Sequence, residues 1–429
     1  MLAQILFAAV LIGASVLFAR SVGKIRRNIL LGKDIDLSDN KKERFITMMR
    51  VAFGQGKMGS RPVAAVFHFF IYVGFVLINL EVLEIIIDGL FGTHRVFAPI
   101  LGDLYPVLIG FFEILGVLVV AACVVFLYRR HVAKLRRLTM PEMKGWPAKD
   151  ATNILIIELV LMTALFVMNA TDRAFQESVE FGMPVSSILA SLFSDMGNHQ
   201  LEMVERGAWW FHIIGILAFL NYLPSSKHFH IILAFPNTWY SNLKPKGEFE
   251  NMEAVTTEVQ LMMDPSAPTP EGYEPPTSFG VKDVMDLNWK NLMEAYTCTE
   301  CGRCTSVCPA NTTGKLLSPR KIMMDTRDRL EEVGRNIDQN KGEFVDDNKN
   351  LFSYITEEEL WACTTCNACA EICPVNINPM NIIFQMRQYL VMEKASAPVE
   401  LNNMFNNLEN NGAPWQFSPA DRANWVNAE

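Results

Sequence analysis

The sequence predicts an all-α protein: a five-helix transmembrane bundle followed by a small helical domain built around cysteines. Three observations predict it. Half of the 429 residues are hydrophobic, five apolar runs approach membrane-spanning length, and eight of the nine cysteines fall into two tight clusters. The net charge of −8 conceals an asymmetry, because Lys and Arg crowd the first 150 residues whereas Asp and Glu dominate from 248 onward. No basic face interleaved with aromatic residues occurs, so nucleic acid is not an expected partner.

The apolar runs are 2–19, 63–87, 104–128, 153–170 and 208–223, the last expected to continue as helix toward 235. About 20 apolar residues cross a hydrocarbon core. The first run lacks a basic leader and is followed by a basic segment, so it reads as an uncleaved span. The stretches "SVGKIRRNILLGKDIDLSDNKKERFITMMR" and "YRRHVAKLRRLTMPEMKGW" are rich in Lys and Arg, and the loops 88–103 and 171–207 are not. The positive-inside rule then places the chain in the inner membrane, N-terminus outside and residues 224–429 in the cytoplasm. Within the loop 171–207, "VSSILASLF" reads as an interfacial helix.

Ionisable residues inside a membrane mark function. His68, His212 and His230 lie in or at the ends of spans. His212 and His230 are 18 residues apart, so an unbroken helix would carry both on one face, about 27 Å apart, with His228 on the opposite face. Pro224 between them is a candidate kink. His68 and His230 fall at similar depth on different helices, which suits two axial ligands of a haem b. His228 stays open as an alternative to His230, and plain interfacial histidines are the competing reading. His212 has no span histidine at matching depth, and His94 and His199 in the outer loops are badly placed. A second haem, a quinone hydrogen bond or simple packing would each account for it. Glu113, near the midplane, is a candidate for proton delivery to a quinone. Glu81 and Glu84 lie toward the outer end of their span, where snorkelling or a loop partner would explain them, and Glu158 is a further carboxylate within the spans.

The expected domains are 1–235 (membrane), 236–278 (a Pro-rich linker containing "MMDPSAPTPEGYEPPTSFG"), 279–395 (the cysteine domain) and 396–429 (a partner-binding tail). Cys298, Cys301, Cys304 and Cys308-Pro309 make C-x2-C-x2-C-x3-C-P, repeated by Cys363, Cys366, Cys369 and Cys373-Pro374. This is the bacterial ferredoxin spacing for two [4Fe–4S] clusters, in which the fourth cysteine of each run ligates the other cluster. One cluster is therefore expected on Cys298, Cys301, Cys304 and Cys373, the other on Cys363, Cys366, Cys369 and Cys308. Zinc sites space their ligand pairs differently. Helix starts are expected at Ser318-Pro319 and Thr356 and over 378–393, giving an all-α two-cluster module. The glycines of "FGQGKMGS" at 53–60 follow no strand and are not read as a phosphate loop.

On these motifs the cysteine domain resembles the C subunit of heterodisulfide reductase and the iron–sulfur subunits of succinate and glycolate dehydrogenases. The membrane half looks like the haem b subunit of respiratory nitrate reductase. There a second histidine would fall near Ile78, so this chain departs from the two-haem pattern. The run "WWFHIIGILAFLNYLPSSKHFHIILAFPNTWY" and the tail "NNLENNGAPWQFSPADRANW" resemble fused proteins that pass electrons between electron-transfer flavoprotein and menaquinone. In those relatives the tail leads into CCG domains, and no Cys-Cys-Gly occurs here. The resemblance therefore implies a separate CCG-domain subunit, or electron-transfer flavoprotein itself, as partner, and menaquinone as substrate. The anchor of a heterodisulfide or 2-hydroxy-acid (glycolate/lactate) oxidoreductase complex is the alternative reading. A redox sensor is a third, which needs neither haem nor quinone.

Overall fold

The computed structural model describes residues 1–177, 183–245, 248–249, 251–268, 273, 278–416 and 418–427. Parts of the proline-rich linker, at 269–272 and 274–277, and residues 417 and 428–429 of the tail lie outside them.

Five helices are long and apolar enough to cross a membrane: Leu2–Ile29, Pro62–Phe91, Leu104–His131, Trp146–Thr171 and a fifth over Asn198–Tyr222. Their ends follow local chemistry. Pro62 opens the second span, where a missing N–H costs nothing, and Gly92 closes it in the left-handed conformation at φ 72°. The first span buries only Phe7 and its last residues, leaving Leu2, Ile5, Leu6 and Ile12 exposed as a lipid-facing surface. The third and fourth spans pack closely where Gly116 faces Phe166, and the fourth and fifth where Gly215 faces Leu161. Small residues at helix crossings allow this approach.

The expectation of one unbroken helix from 208 toward 235 is overturned. The fifth span ends at Tyr222, two 3-10 turns follow at Leu223–Ser225 and Lys227–Phe229, and a separate helix runs from His230 to Trp239. Pro224 cannot donate a helical hydrogen bond. Ser226 takes extended geometry and its side chain caps His228 N–H at 3.1 Å. The new helix passes the expected domain boundary at 236, and a further helix, Glu253–Met263, lies within the expected linker.

The cysteine domain is all-α. Its main helices are Trp289–Thr297, Pro319–Gln339 and Pro379–Met392, with a short one at Glu357–Trp361. Ser318 and Thr356 cap two of them as expected, whereas the segment from 279 becomes helical only at Trp289, capped by Asn288. The domain shares one hydrophobic core with the inner ends of the first and fifth spans, where Ile25, Ile29, Leu223 and Leu233 meet Val284, Leu292 and Val333. Lys33 and Leu287 add backbone pairing, with Lys33 N–H donating to the Leu287 carbonyl at 2.8 Å. The tail helix Val399–Asn411 buries none of its residues.

At this seam the amide of Asn28, at the end of the first span, lies against Gly334 and donates to the Tyr296 hydroxyl at 2.9 Å. A Cβ at Gly334 would come within 2.5 Å of Asn28 Nδ2 and Oδ1. Gly→Ala in a helix interior ordinarily stabilises by about 1 kcal/mol. Here Gly334→Ala is expected to lower the melting temperature of the full chain, and Gly334→Ala combined with Asn28→Ala to restore it; an unchanged or raised midpoint for the single variant would contradict this packing.

Candidate redox centres

The two cysteine runs fold into the same loop. In each, the residue two places after the first cysteine and the residue four places after it are left-handed: Glu300 (φ 52°) and Gly302 (φ 69°), Thr365 (φ 54°) and Asn367 (φ 58°). A short helix follows, Arg303–Val307 in one and Ala368–Ile372 in the other, ending at an extended Cys308 or Cys373 before proline. Paired left-handed turns curl a backbone around a centre and aim its N–H groups inward, the usual cradle of an iron–sulfur core. Gly302 is packed under the Arg137 carbonyl, where a Cβ would sit 2.9 Å away, whereas its counterpart Asn367 carries a side chain.

The fourth cysteines cross over. Cys298, Cys301 and Cys304 line one cavity with Cys373 of the other run, and Cys369 reaches its edge. Cys308 lies among Cys363, Cys366 and Cys369. All are free thiols. Burial pushes the Cys298 and Cys369 thiols up to about 12 and Cys373 to about 11, with neighbouring cysteines adding to the shift. So dense a set of buried thiols becomes anionic only against a metal core that supplies positive charge.

The first group sits against the bundle. Arg137, between the third and fourth spans, donates to the Cys301 carbonyl, and Arg303 donates to the Lys57 carbonyl and Ser60 Oγ at 3.2 Å each. Arg61 donates to Ser306 Oγ at 3.0 Å. Arg320, fully buried, pairs with Glu142 at 2.6 Å, and Glu300 is paired by Lys227 and by Arg327 at 2.7 Å. In the second group Cys366 is exposed, whereas Cys308 and Cys369 are buried.

Beneath the first group lie the histidines. The His68 and His230 rings stand 6.4 Å apart between centroids. Metal–imidazole bonds of about 2.1 Å and a nitrogen-to-centroid distance of about 1.1 Å put two trans imidazoles about 6.4 Å apart, so the pair has the separation an axially ligated iron requires. His230 Nδ1 donates to the Lys227 carbonyl at 3.0 Å, and His68 Nδ1 bonds the Gln55 side chain at 3.2 Å. Those bonds leave each Nε2 as the ring nitrogen with a free lone pair, the usual orientation of a metal-binding histidine. His228 does not point away from His230, as the unbroken helix required. Its ring lies 5.6 Å from that of His230 and 5.4 Å from Phe219, because the chain between Tyr222 and His230 is not α-helical. Gln55 comes from the glycine-flanked segment 53–60, whose only sequence signal was two glycines bracketing a polar residue.

The remaining candidates lie deeper. His212 is 1% exposed, donates Nδ1 to the Leu161 carbonyl at 2.9 Å and leaves a buried Nε2 without a partner. It does not meet His68 or His230, and His94 instead lies 3.2 Å from Asp172. Glu113 accepts from Val185 N–H at 2.9 Å, Ser186 N–H at 3.2 Å, the Asn169 amide at 3.5 Å and the Ser186 hydroxyl. The segment read as interfacial thus anchors one end of its short helix, Ser186–Ala190, on Glu113 while Ile188 stays exposed.

Residues 297–377 match the family model described as a 4Fe-4S dicluster domain. The cysteine domain is a 4Fe-4S dicluster domain. Over 98% of its length the chain is 29% identical to the probable iron-sulfur-binding oxidoreductase FadF of Bacillus subtilis and 26% identical to the EtfAB:quinone oxidoreductase of Syntrophomonas wolfei. It spans 60% and 59% of those relatives. One subunit of the dihydromethanophenazine:CoB–CoM heterodisulfide reductase of Methanosarcina mazei is 29% identical over 34% of the chain and 36% of its own length. No solved structure matches. The five apolar helices and the dicluster domain make this a membrane protein carrying an iron–sulfur domain, and its full-length relatives are iron–sulfur oxidoreductases.

Outer-shell partners of metal-bound histidines typically contribute 10–100-fold in affinity. If His68 ligates a haem, Gln55→Leu, which roughly keeps the volume but removes the acceptor, is expected to weaken haemin binding by about 10-fold or more in a haemin titration. Equal affinity in the variant would show that Gln55 does not orient His68.

Proposed function

We propose that the chain relays electrons between a cytoplasmic redox partner and menaquinone, through two [4Fe–4S] clusters and one haem b. The observation that carries this reading is the succession of sites: a second cysteine group with Cys366 at the surface, a first group that lines one cavity, and the His68–His230 pair linked to that group through Arg303. In this reading Cys363, Cys366, Cys369 and Cys308 hold the outward cluster, and Cys298, Cys301, Cys304 and Cys373 the inward one. His68 and His230 hold the haem through Nε2, with Gln55 and the Lys227 carbonyl fixing the rings. When bound, haem b supplies a one-electron iron couple within the membrane. Arg303, between Cys304 and the Lys57–Ser60 turn, lies close enough to act on the charge at His68 and so couples the two centres electrostatically. His212, with its unpartnered Nε2, is the candidate hydrogen-bond partner of the quinone.

The partner side follows from the surface. The tail leaves the domain at Ser396–Pro398 beside Trp361 and Ala362, next to the second cysteine group. A CCG-domain subunit or electron-transfer flavoprotein docked on that tail would stand beside the exposed Cys366. Both relatives matched over 98% of the chain, one of them an EtfAB:quinone oxidoreductase, favour this reading. The heterodisulfide-reductase matches, which cover about a third of the chain or less, favour a shared dicluster domain more than a shared reaction.

The test is a dithionite-reduced minus oxidised optical spectrum of the purified membrane protein, with iron and haem counted per chain. About eight non-haem irons and one haem b are expected. His68→Ala and His230→Ala should abolish the haem bands while leaving the cluster signals intact, and His228→Ala and His212→Ala should retain the bands. A wild-type spectrum without haem overturns the haem relay. Two haems per chain would give His212 an axial role.

A further inference from the structure

The end of the bundle remote from the dicluster domain contains carboxylates that electron transfer does not use. Glu81, Glu84 and Asp88 follow one another on the second span at intervals of three and four residues. They therefore share one helix face within about 60° of arc and climb about 10 Å toward the end of the span. All three are buried, at 3%, 3% and 8% exposure. Of the two explanations offered for Glu81 and Glu84, snorkelling would have left them exposed, whereas a loop partner is what Glu84 has in Phe97 N–H.

Their partners differ along the ladder. Asp88, at the outer rung, accepts from Thr93 Oγ1 at 2.5 Å, Arg95 N–H at 2.7 Å and Val96 N–H at 3.2 Å, all in the loop that reaches the surface. Glu84 accepts from the Tyr105 hydroxyl at 2.6 Å and from Phe97 N–H at 2.8 Å. Glu81, at the inner rung, finds no hydrogen-bond partner for either oxygen, although the Asn169 side chain lies nearby. The charged groups that face it are Glu84 on its own helix, Glu113 from the third span and Arg95 from the following loop. Arg95 is itself fixed by Asp172 at 2.7 Å, Asn169 at 3.0 Å and Tyr105 at 3.2 Å.

A buried carboxyl group with no hydrogen bond of good geometry, and only the Asn169 amide near enough to become a donor, is stable in this place as the neutral acid and can give up or take back a proton with little rearrangement. Glu113, its neighbour, accepts from four donors. We infer that the Glu81–Glu84–Asp88 ladder carries protons between the remote surface and the bundle interior, with Glu81 as the inner carrier. The inference rests on the quinone reading above. Reduction of a quinone by two electrons consumes two protons. Each leaves Glu81 as H⁺, converting acid to carboxylate, and the carboxylate is reprotonated from outside water through Asp88 and Glu84. Oxidation of a quinol runs the same steps backward and releases the protons to the remote face.

Two measurements on the full chain in lipid nanodiscs, with clusters and haem loaded, test this. The first is pH-step infrared difference spectroscopy, which reads buried carboxyl groups and needs no turnover. A band from a protonated carboxyl in an apolar setting is expected in the wild type and is lost in Glu81→Gln. The second is steady-state reduction of a menaquinone analogue with an artificial donor. Glu81→Gln should slow it about 100-fold while reduction of the clusters by the donor continues. Glu81→Asp keeps an acid at the site; it should keep the band, recover part of the rate and shift its pH profile, which separates loss of the proton group from misfolding. A band that survives in Glu81→Gln, or an unchanged rate, overturns the inference. A wild type that reduces no quinone overturns the electron-transfer reading instead, and loss of the band in Glu81→Gln would then still support the ladder.

Discussion

The arrangement depends on the seam where a charged, water-soluble domain is clamped onto the end of an apolar bundle. Electron transfer weakens steeply with distance, so the proposed relay requires the first cysteine group to stay in a fixed relation to His68 and His230. The clamp is made largely of buried charge. Arg320 reaches from the dicluster domain to Glu142 between the third and fourth spans, and Lys227 reaches back from the exit of the fifth span to Glu300. Such pairs contribute little net stability over an apolar contact, yet removing one partner is costly, by about 3–5 kcal/mol. They act as registry marks, specifying one docked pose where a greasy interface would allow several. Glu300 serves two functions at once. It is a left-handed residue of the first cysteine loop and the acceptor for both Lys227 and Arg327, so the loop's shape and the domain's position are set by the same side chain.

Lys227 links that seam to the position of the His230 ring. Its ammonium is drawn to Glu300 and the Pro147 carbonyl, and its own carbonyl accepts the His230 Nδ1 proton. Interrupting the helix at Pro224 lets the chain step sideways so that His230 meets His68. An unbroken helix would have carried His230 onward on the face of His212. The sequence showed the proline but could not weigh it, because membrane helices often tolerate proline when neighbours satisfy the freed backbone groups. The decisive partners, Asp150 and Glu300, lie more than 70 positions from Lys227. Long-range charge pairing of that kind leaves no periodic trace.

The same distinction separates what was legible from what was not. Spans are read from local hydropathy and the doubled cysteine motif from local spacing, so the five helices and the dicluster domain were visible directly. Gln55 was invisible, because its role exists only once the turn at 53–60 folds under His68. Glu113 and Glu81 were ranked by depth alone, and depth favoured Glu113. The deciding contacts on Glu113 come from Val185 and Ser186, 72 and 73 residues away, and they convert the more deeply placed carboxylate into a structural acceptor.

On the proposed reading the second span joins two kinds of traffic. His68 lies at its dicluster end and Glu81 thirteen residues further along, about 20 Å by helical rise, with the acidic ladder continuing to the opposite surface. If electrons enter from the dicluster side and protons from the remote side, the two charges travel toward each other from opposite faces of the bilayer. Each electron–proton pair then amounts to one elementary charge moved across the whole membrane. On the orientation that the basic loops favour, an inside-negative potential drives electrons outward and protons inward, so it assists quinone reduction and opposes quinol oxidation. At about 2.3 kcal/mol per charge per 100 mV, a two-electron reduction gains about 4.6 kcal/mol per 100 mV. That is enough for the membrane potential, alongside the potentials of the bound centres, to set the direction of flow. Were protons supplied from the dicluster side instead, the charges would travel together and cancel, and the potential would have no such leverage.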